Sequence, residues 1–129
     1  MKTIEVRTRK KDEIVDITEV VEAQLRDLQP ASGICVVFAA HTTCALTTAD
    51  LDPGTDQDFL DALRKLLPGL SYRHPHDPAH TPDHLLSSII GPSVTIPYAN
   101  YQLALGTWQR VILVELDGPR RRTVHISAM

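Results

Sequence analysis

Cysteine is scarce: Cys35 and Cys44 are the only two in 129 residues, too few for the disulfide framework of a small secreted domain. Each lies inside or beside an apolar run, so both read as reduced, structural thiols. No stretch approaches the roughly 20 apolar residues that span a bilayer, which excludes a transmembrane helix. The opening Met1–Arg7 alternates charged and apolar side chains and has neither a secretory apolar core nor an Arg/Ser-rich transit pattern, so the expected location is the cytoplasm. Excess positive charge is missing too. With 13 Lys and Arg against 16 Asp and Glu the formal net charge is -3, which argues against recruitment to nucleic acid by bulk electrostatics and leaves at most a local basic patch. There is no internal repeat. The content of 43% hydrophobic and 22% charged residues is that of an ordinary globular domain. Residues 1–129 fit one domain, long enough to bury about two thirds of the surface exposed by the unfolded chain.

Residues 3 to 9 place Ile4, Val6 and Thr8 on one side and Glu5, Arg7 and Arg9 on the other, the period of a half-buried strand, before a turn at Lys10–Asp12. Ile17, Val20, Val21, Leu25 and Leu28 recur at helical spacing, with Asp16 and Glu19 spaced as a capping pair and Pro30 and Gly33 as the stop. Residues 34 to 40 are apolar without alternation, which predicts a strand covered on both faces and ending at His41. Thr55 as cap, with Phe59, Leu60, Leu63, Leu66 and Leu67 on one face, predicts a second helix stopped by Pro68-Gly69. A polar loop over 71–81 leads to a third, short helix that Thr81-Pro82-Asp83 opens and Gly91-Pro92 ends. Residues 93–97, 102–105 and 107–116 read as successive strands. Asp117-Gly118-Pro119 then reads as a hairpin turn into a strand where Arg122, Val124 and Ile126 alternate with Arg121, Thr123, His125 and Ser127. The late connections are too short for crossovers. The expected class is therefore α+β: a mostly antiparallel sheet or sandwich with two or three helices packed on it.

Four histidines, His74, His76, His80 and His84, fall within eleven residues, and imidazole is the commonest transition-metal ligand. The cluster reads either as a metal site or as a solvated polar loop, and Pro82 prevents His80 and His84 from forming an i,i+4 pair on one helix. His41, followed by Thr42 and Thr43, is either a hydrogen-bonded core residue or a pocket residue at a strand end. Of the three consecutive arginines, Arg120 and Arg122 share a strand face; they form a solvated edge or a grip on phosphate. Trp108, the single tryptophan, belongs to the core or stacks on a heteroaromatic ring whose polar edge Gln109 reads. Glu115, a carboxylate in an apolar strand, must be paired, exposed at an edge, or functional.

Five segments in this order, His41–Thr47 (HTTCALT), Tyr72-Arg73-His74, His84–Ser93 (HLLSSIIGPS), Gly106–Gln109 (GTWQ) and Asp117–Arg122 (DGPRRR), resemble the YjbQ family over essentially the whole chain. The resemblance implies an α+β fold, a homotrimer and a secondary thiamine-phosphate synthase activity. In that reaction an aminopyrimidine diphosphate alkylates a thiazole phosphate and releases pyrophosphate. It maps His41, His74 and His84 as metal or acid/base candidates and leaves His76 and His80 without a motif and His125 structural or exposed. Where the family carries Asn-Glu after its HTT motif this chain has Ala49-Asp50, a carboxylate of shorter reach. The expected catalytic residues are His41, His84, Asp50 and Glu115; the expected substrate contacts are Thr42, Thr43, Ser93, Trp108, Gln109, Arg120 and Arg122. A divalent metal would be zinc if held by imidazoles or magnesium if held through a diphosphate. Three imidazoles suit hydrolytic chemistry better than diphosphate transfer, which keeps two alternatives in view: a metal-dependent hydrolase of a small phosphorylated metabolite, and a non-catalytic trimeric small-ligand-binding module.

Overall fold

In the computed structural model, which describes residues 1–129, the first strand keeps the alternation read above. Ile4 and Val6 of β1 (Lys2–Arg7) turn inward while Glu5 and Arg7 stay exposed. The chain continues through β2 (Glu13–Asp16), α1 (Thr18–Leu25), β3 (Gly33–Ala39), β4 (Cys44–Ala49) and α2 (Thr55–Leu66). A 3-10 turn at Pro78–His80 runs into α3 (Thr81–Ile90), followed by β5 (Ser93–Ala99), β6 (Gln102–Leu103), β7 (Arg110–Glu115) and β8 (Arg121–Ala128). Two sheets result, one ordered β1-β8-β3-β5-β6 and one ordered β2-β7-β4. Every strand pairing is antiparallel. The fold is α+β, a single domain with three helices.

The layers follow from which faces are apolar. Val37 and Val124 of the larger sheet pack against Leu46, Val111 and Leu113 of the smaller one, with Val21 and Leu25 of α1 joining this core. On the other face of the small sheet, Ala45, Ile112 and Val114 pack against Leu60 and Leu63 of α2 and Leu86 of α3. Strand β7 is thus buried on both faces, which explains its unbroken run Val111-Ile112-Leu113-Val114. The sequence instead predicts β3 as the strand covered on both faces, and this needs correction: Cys35, Val37 and Ala39 point inward, but Ile34 and Phe38 are exposed because no helix covers that side of the larger sheet.

Other boundaries also move. Strands β2 and β4 carry no strong sequence signal: β2 is four residues long, and β4 is built largely of Ala and Thr. Asp16 and Glu19 do not form a capping box. Asp16 accepts from the Thr18 backbone N–H at 3.0 Å, and both carboxylates bind Arg110. Helix α1 ends at Leu25, though Leu28 still packs on the core. Helix α2 starts after Gly54 in the left-handed conformation, φ 88°, so Thr55 is its first residue rather than its cap. Residues 107–109 belong to a turn, closed by Gln109 N–H donating to the Gly106 carbonyl at 3.1 Å, and β7 begins at Arg110.

One polar pair sits inside this packing. Glu115 is 0% and Arg122 2% exposed. Arg122 Nε donates to Glu115 Oε2 at 2.8 Å and its Nη2 bonds Glu115 Oε1. The Thr8 hydroxyl adds a bond to Oε2 at 2.7 Å, and the backbone N–H groups of Leu116 and Asp117 each reach Oε1 at 3.0 Å. Burial pushes the Glu115 carboxyl up, but Arg122, the Asp117 N–H and Thr8 outweigh it and hold the group below its ordinary value of 4.5. A carboxylate depressed in this way stabilises the fold fully above the unfolded value, and that contribution is lost as pH falls through the lower folded value.

Urea denaturation of Glu115→Gln at neutral pH is therefore expected to show a loss of about 3–5 kcal/mol, because the Arg122 charge stays buried without its partner. The variant's stability should also fall less steeply than the native protein's as the pH drops below 4.5. Leu113→Ala, which truncates a fully buried side chain, is expected to cost about 2–5 kcal/mol in the same assay. Ile89→Ala, on an exposed face of α3, should stay within about 0.5 kcal/mol of the native value.

Candidate functional site

Three chain segments meet at one end of the small sheet. Strand β3 delivers Ala40 and His41, and the link into β4 contributes Thr42 and Thr43. The start of α3 brings His80 and His84, the β7–β8 connection brings Asp117 and Arg120, and β8 opens with Arg121. Together with Arg122 they border a cavity of about 610 Å³ in which one of ten lining residues is hydrophobic.

Helix α3 is fixed there by a buried carboxylate. Asp83 receives Arg64 Nη1 at 2.6 Å and Lys11 Nζ at 3.0 Å. Arg64 also binds Asp12, and both cations donate to the Leu116 carbonyl, Lys11 at 2.7 Å and Arg64 at 2.9 Å. The α2–α3 pair and the turn before β2 are thereby tied to the end of β7. Ser87, one turn further along α3, donates to the Cys44 carbonyl at 2.6 Å and anchors the helix to β4.

Backbone groups set the histidine tautomers. The Thr123 N–H donates to His41 Nε2 at 2.7 Å, so a neutral His41 carries its proton on Nδ1, which has no partner in the protein. Burial, with Arg122 and Arg120 nearby, lowers the His41 pKa and keeps the ring neutral at neutral pH. At His84 the arrangement is reversed. Its Nδ1 lies 3.1 Å from the Thr42 carbonyl, which can only accept, so the proton is on Nδ1 and Nε2 is an open acceptor. His74 stacks on His84 with centroids 4.8 Å apart and planes 19° from parallel. Its own Nδ1 accepts from the Asp77 N–H at 3.3 Å.

The arginines divide their work. Strand β8 starts at Arg121, so Arg120 lies before the strand and does not share a face with Arg122. Arg122 is spent on Glu115 and on Thr43, whose hydroxyl it reaches at 2.9 Å, and it holds the cavity floor rather than a ligand. Arg120 binds the Asp117 carbonyl at 2.8 Å and carboxylate at 3.0 Å and keeps further N–H groups free. Burial raises the Asp117 pKa, but Arg120, His80 and Lys11 outweigh it and the group stays ionised. With Asp117 neutralised by Arg120, the exposed Arg121 leaves the mouth of the cavity positive.

A zinc ion held by His41, His74 and His84 does not fit this donor set. Ring lone pairs lie in the ring planes, and two nearly parallel stacked rings cannot aim at one ion. His41 Nε2 is already committed to Thr123. The three side chains whose ligating atoms do lie within 4.8 Å of one another are His80, Asp83 and Asp117, and both carboxylates there are bonded to cationic side chains.

The structure gathers His41, His84, Thr42, Thr43, Arg120 and Arg122 of the expected site residues around the cavity. His74 lies behind His84, and Glu115 lies beneath as the partner of Arg122. Ser93 pairs with Phe38 at the start of β5 and does not line the cavity. Asp50, Trp108 and Gln109 border a separate, shallow cavity. The six residues of β4 separate it from Thr43 by about 20 Å. Trp108 is 71% exposed, so it is neither core nor part of the cationic pocket. Asp117, read from the sequence only as a turn residue, also lines the cavity, as do His80, which the sequence places in the histidine cluster without a motif, and Arg121, which the alternation sets on the face opposite Arg122.

A family model described as UPF0047 protein YjbQ-like matches residues 2–129. A UPF0047 protein of Archaeoglobus fulgidus is 38% identical over 96% of this chain and 97% of its own length. The YugU protein of Bacillus subtilis, also a UPF0047 protein, is 36% identical over 100% and 98%. Among solved structures, a hypothetical protein of Aeropyrum pernix superposes with a TM-score of 0.90 at 35% identity, covering 99% of this chain and 96% of that one. An uncharacterized YjbQ/UPF0047 protein of Clostridium acetobutylicum gives 0.89 at 32% identity, with both chains covered completely. The match to the family model over nearly the whole chain, together with these relatives, places the protein in the YjbQ (UPF0047) family.

Proposed function

We propose that this chain is a phosphate-handling enzyme acting on a small phosphorylated metabolite, with transfer of the thiamine-phosphate synthase kind as its reaction. The observation that carries the reading is the cationic cavity, which Arg120, Arg121 and His41, whose Nδ1 has no partner in the protein, line together with Thr42, Thr43 and one hydrophobic residue. In the reaction the thiazole nitrogen attacks the methylene carbon of the aminopyrimidine. A C–N bond forms, the C–O bond to the diphosphate breaks, and pyrophosphate leaves with the bonding electrons. Groups that bind the departing charge more strongly than the ester lower the barrier, and Arg120 and His41 are suited to that role. His84, whose Nδ1 faces the Thr42 carbonyl and whose Nε2 has no partner in the protein, is placed to accept a hydrogen bond from the exocyclic amine of the pyrimidine.

The same open Nε2 favours a second reading, hydrolysis of a phosphate ester, in which His84 takes a proton from the attacking water. In either reading the histidines act directly and hold no zinc. The assembly we propose is the homotrimer implied by the family resemblance, and the net charge of -3 disfavours nucleic acid as partner.

A pyrophosphate-release assay separates the readings. Transfer is expected to release pyrophosphate only when both the aminopyrimidine diphosphate and the thiazole phosphate are present, whereas hydrolysis would release phosphate from one compound alone. Arg120→Ala and His84→Ala are each expected to lower kcat/KM by roughly 100-fold while circular dichroism stays native. Native-like turnover in both variants, or no turnover of any phosphorylated substrate by the native protein, would contradict the proposal.

A further inference from the structure

We infer that a second copy of this chain completes the site, seating its Trp108 loop, flanked by Asp50 and Asp52, on the cationic mouth of the cavity. The inference rests on the phosphate-binding reading above. It starts from what the cavity lacks. Small-molecule sites are mostly apolar with a few polar groups, but here Ala40 is the one hydrophobic lining residue. The organic part of a phosphorylated metabolite has no wall to lie against within one chain.

The missing surface is displayed elsewhere on the molecule. The single tryptophan is 71% exposed, on a turn that its own bonds hold rigid. Gly106 N–H donates to Gln109 Oε1 at 3.0 Å, Gln109 N–H donates to the Gly106 carbonyl at 3.1 Å, and Gln109 Nε2 ties the turn to the Thr48 hydroxyl at 2.9 Å. A preorganised, solvent-facing indole gives an isolated chain nothing, but it is the kind of group that dominates association energies.

Charge selects the partner. Asp50 and Asp52 flank Trp108 and form no ion pair, while nearby Asp16 is neutralised by Arg110. At the opposite pole Arg121 has only Glu5 as a carboxylate neighbour, at 3.9 Å. In the β4–β7 pairing Ala49 faces Arg110 at one end and Cys44 faces Glu115 at the other, so the acidic, aromatic pole and the cationic pole lie at opposite ends of one sheet. They are too far apart to meet within a chain and complementary between two copies. Contacts of this head-to-tail kind form a ring when the rotation between copies closes, and a rotation of one third of a turn gives three subunits.

Because Trp108 is the only tryptophan, its fluorescence reports the seat directly. Light scattering of the native protein is expected to give a multiple of 14.3 kDa, and the indole should emit as a water-shielded ring. Titration with inorganic pyrophosphate should change that emission with the saturation curve that calorimetry measures. Arg121→Glu and Trp108→Ala are expected to keep native circular dichroism yet scatter as 14.3 kDa chains, and Arg121→Glu should also shift emission to that of hydrated indole. A native monomer, a hydrated indole in the assembled protein, or an Arg121→Glu assembly with its indole still shielded would overturn the inference. Pyrophosphate that binds by calorimetry without moving the emission would overturn it too, and leave the phosphate reading standing. A shielded indole that Arg121→Glu exposes, with no pyrophosphate bound, would support the contact and remove the phosphate reading instead.

Discussion

The buried pair of Glu115 and Arg122 fixes one side of the cavity in place, because one carboxylate and one guanidinium bind the end of β7, Thr8 and the start of β4. Glu115 holds the Leu116 and Asp117 amides at the end of β7 and the Thr8 hydroxyl beyond β1. Thr8 in turn accepts the Arg120 N–H at 2.8 Å. Arg122 reaches the Thr43 carbonyl at 3.0 Å and so sets the start of β4. Apolar residues of the same volume often match such a pair in stability. They could not supply directional bonds to three separate segments, which is what positioning a site requires.

From that anchor the chemistry of the pocket follows through backbone groups rather than through further side-chain pairs. The Thr123 amide lies one residue past Arg122 and makes His41 a donor at Nδ1. The Thr42 carbonyl lies one residue before Thr43 and makes His84 an acceptor at Nε2. Two identical side chains thus present opposite hydrogen-bonding faces, each assigned by a main-chain atom next to a residue of the buried network. The Asp83 network does the same for α3 and ties the start of the helix to the Leu116 carbonyl through Lys11 and Arg64.

Much of the fold was legible because periodicity and stop signals are local. The alternation of β1 and β8, the Gly91 stop of α3 and the α+β class all appear where the sequence puts them; on α2 Leu60 and Leu63 are buried as expected, but Leu66 is exposed and Leu67 lies past the helix end. The short β2 and the Ala/Thr-built β4 were not legible, since tertiary pairing with β7 supplies what their propensity lacks. The site was legible in part. His41, Thr42, Thr43, His84 and Arg120 are named through the family resemblance, their local patterns leaving structural alternatives open, and the role of Arg122 depends on a buried carboxylate seven residues away. Strand alternation pairs Arg120 with Arg122 only if both lie in the strand, whereas β8 begins at Arg121. Grouping Trp108, Gln109 and Asp50 with the histidines ignored the length of β4, which sets the two groups at opposite ends of the sheet.

The central claim is that the pocket is an anion site in which His41 donates and His84 accepts. Two-dimensional nitrogen-proton NMR of the imidazole rings, recorded at neutral pH with and without inorganic pyrophosphate, tests it most directly. The account expects both His41 and His84 as Nδ1–H tautomers, with the His41 Nδ1 signal moving as pyrophosphate saturates. An Nε2–H tautomer at either ring, or ring signals that stay in place while pyrophosphate is in excess, would contradict it.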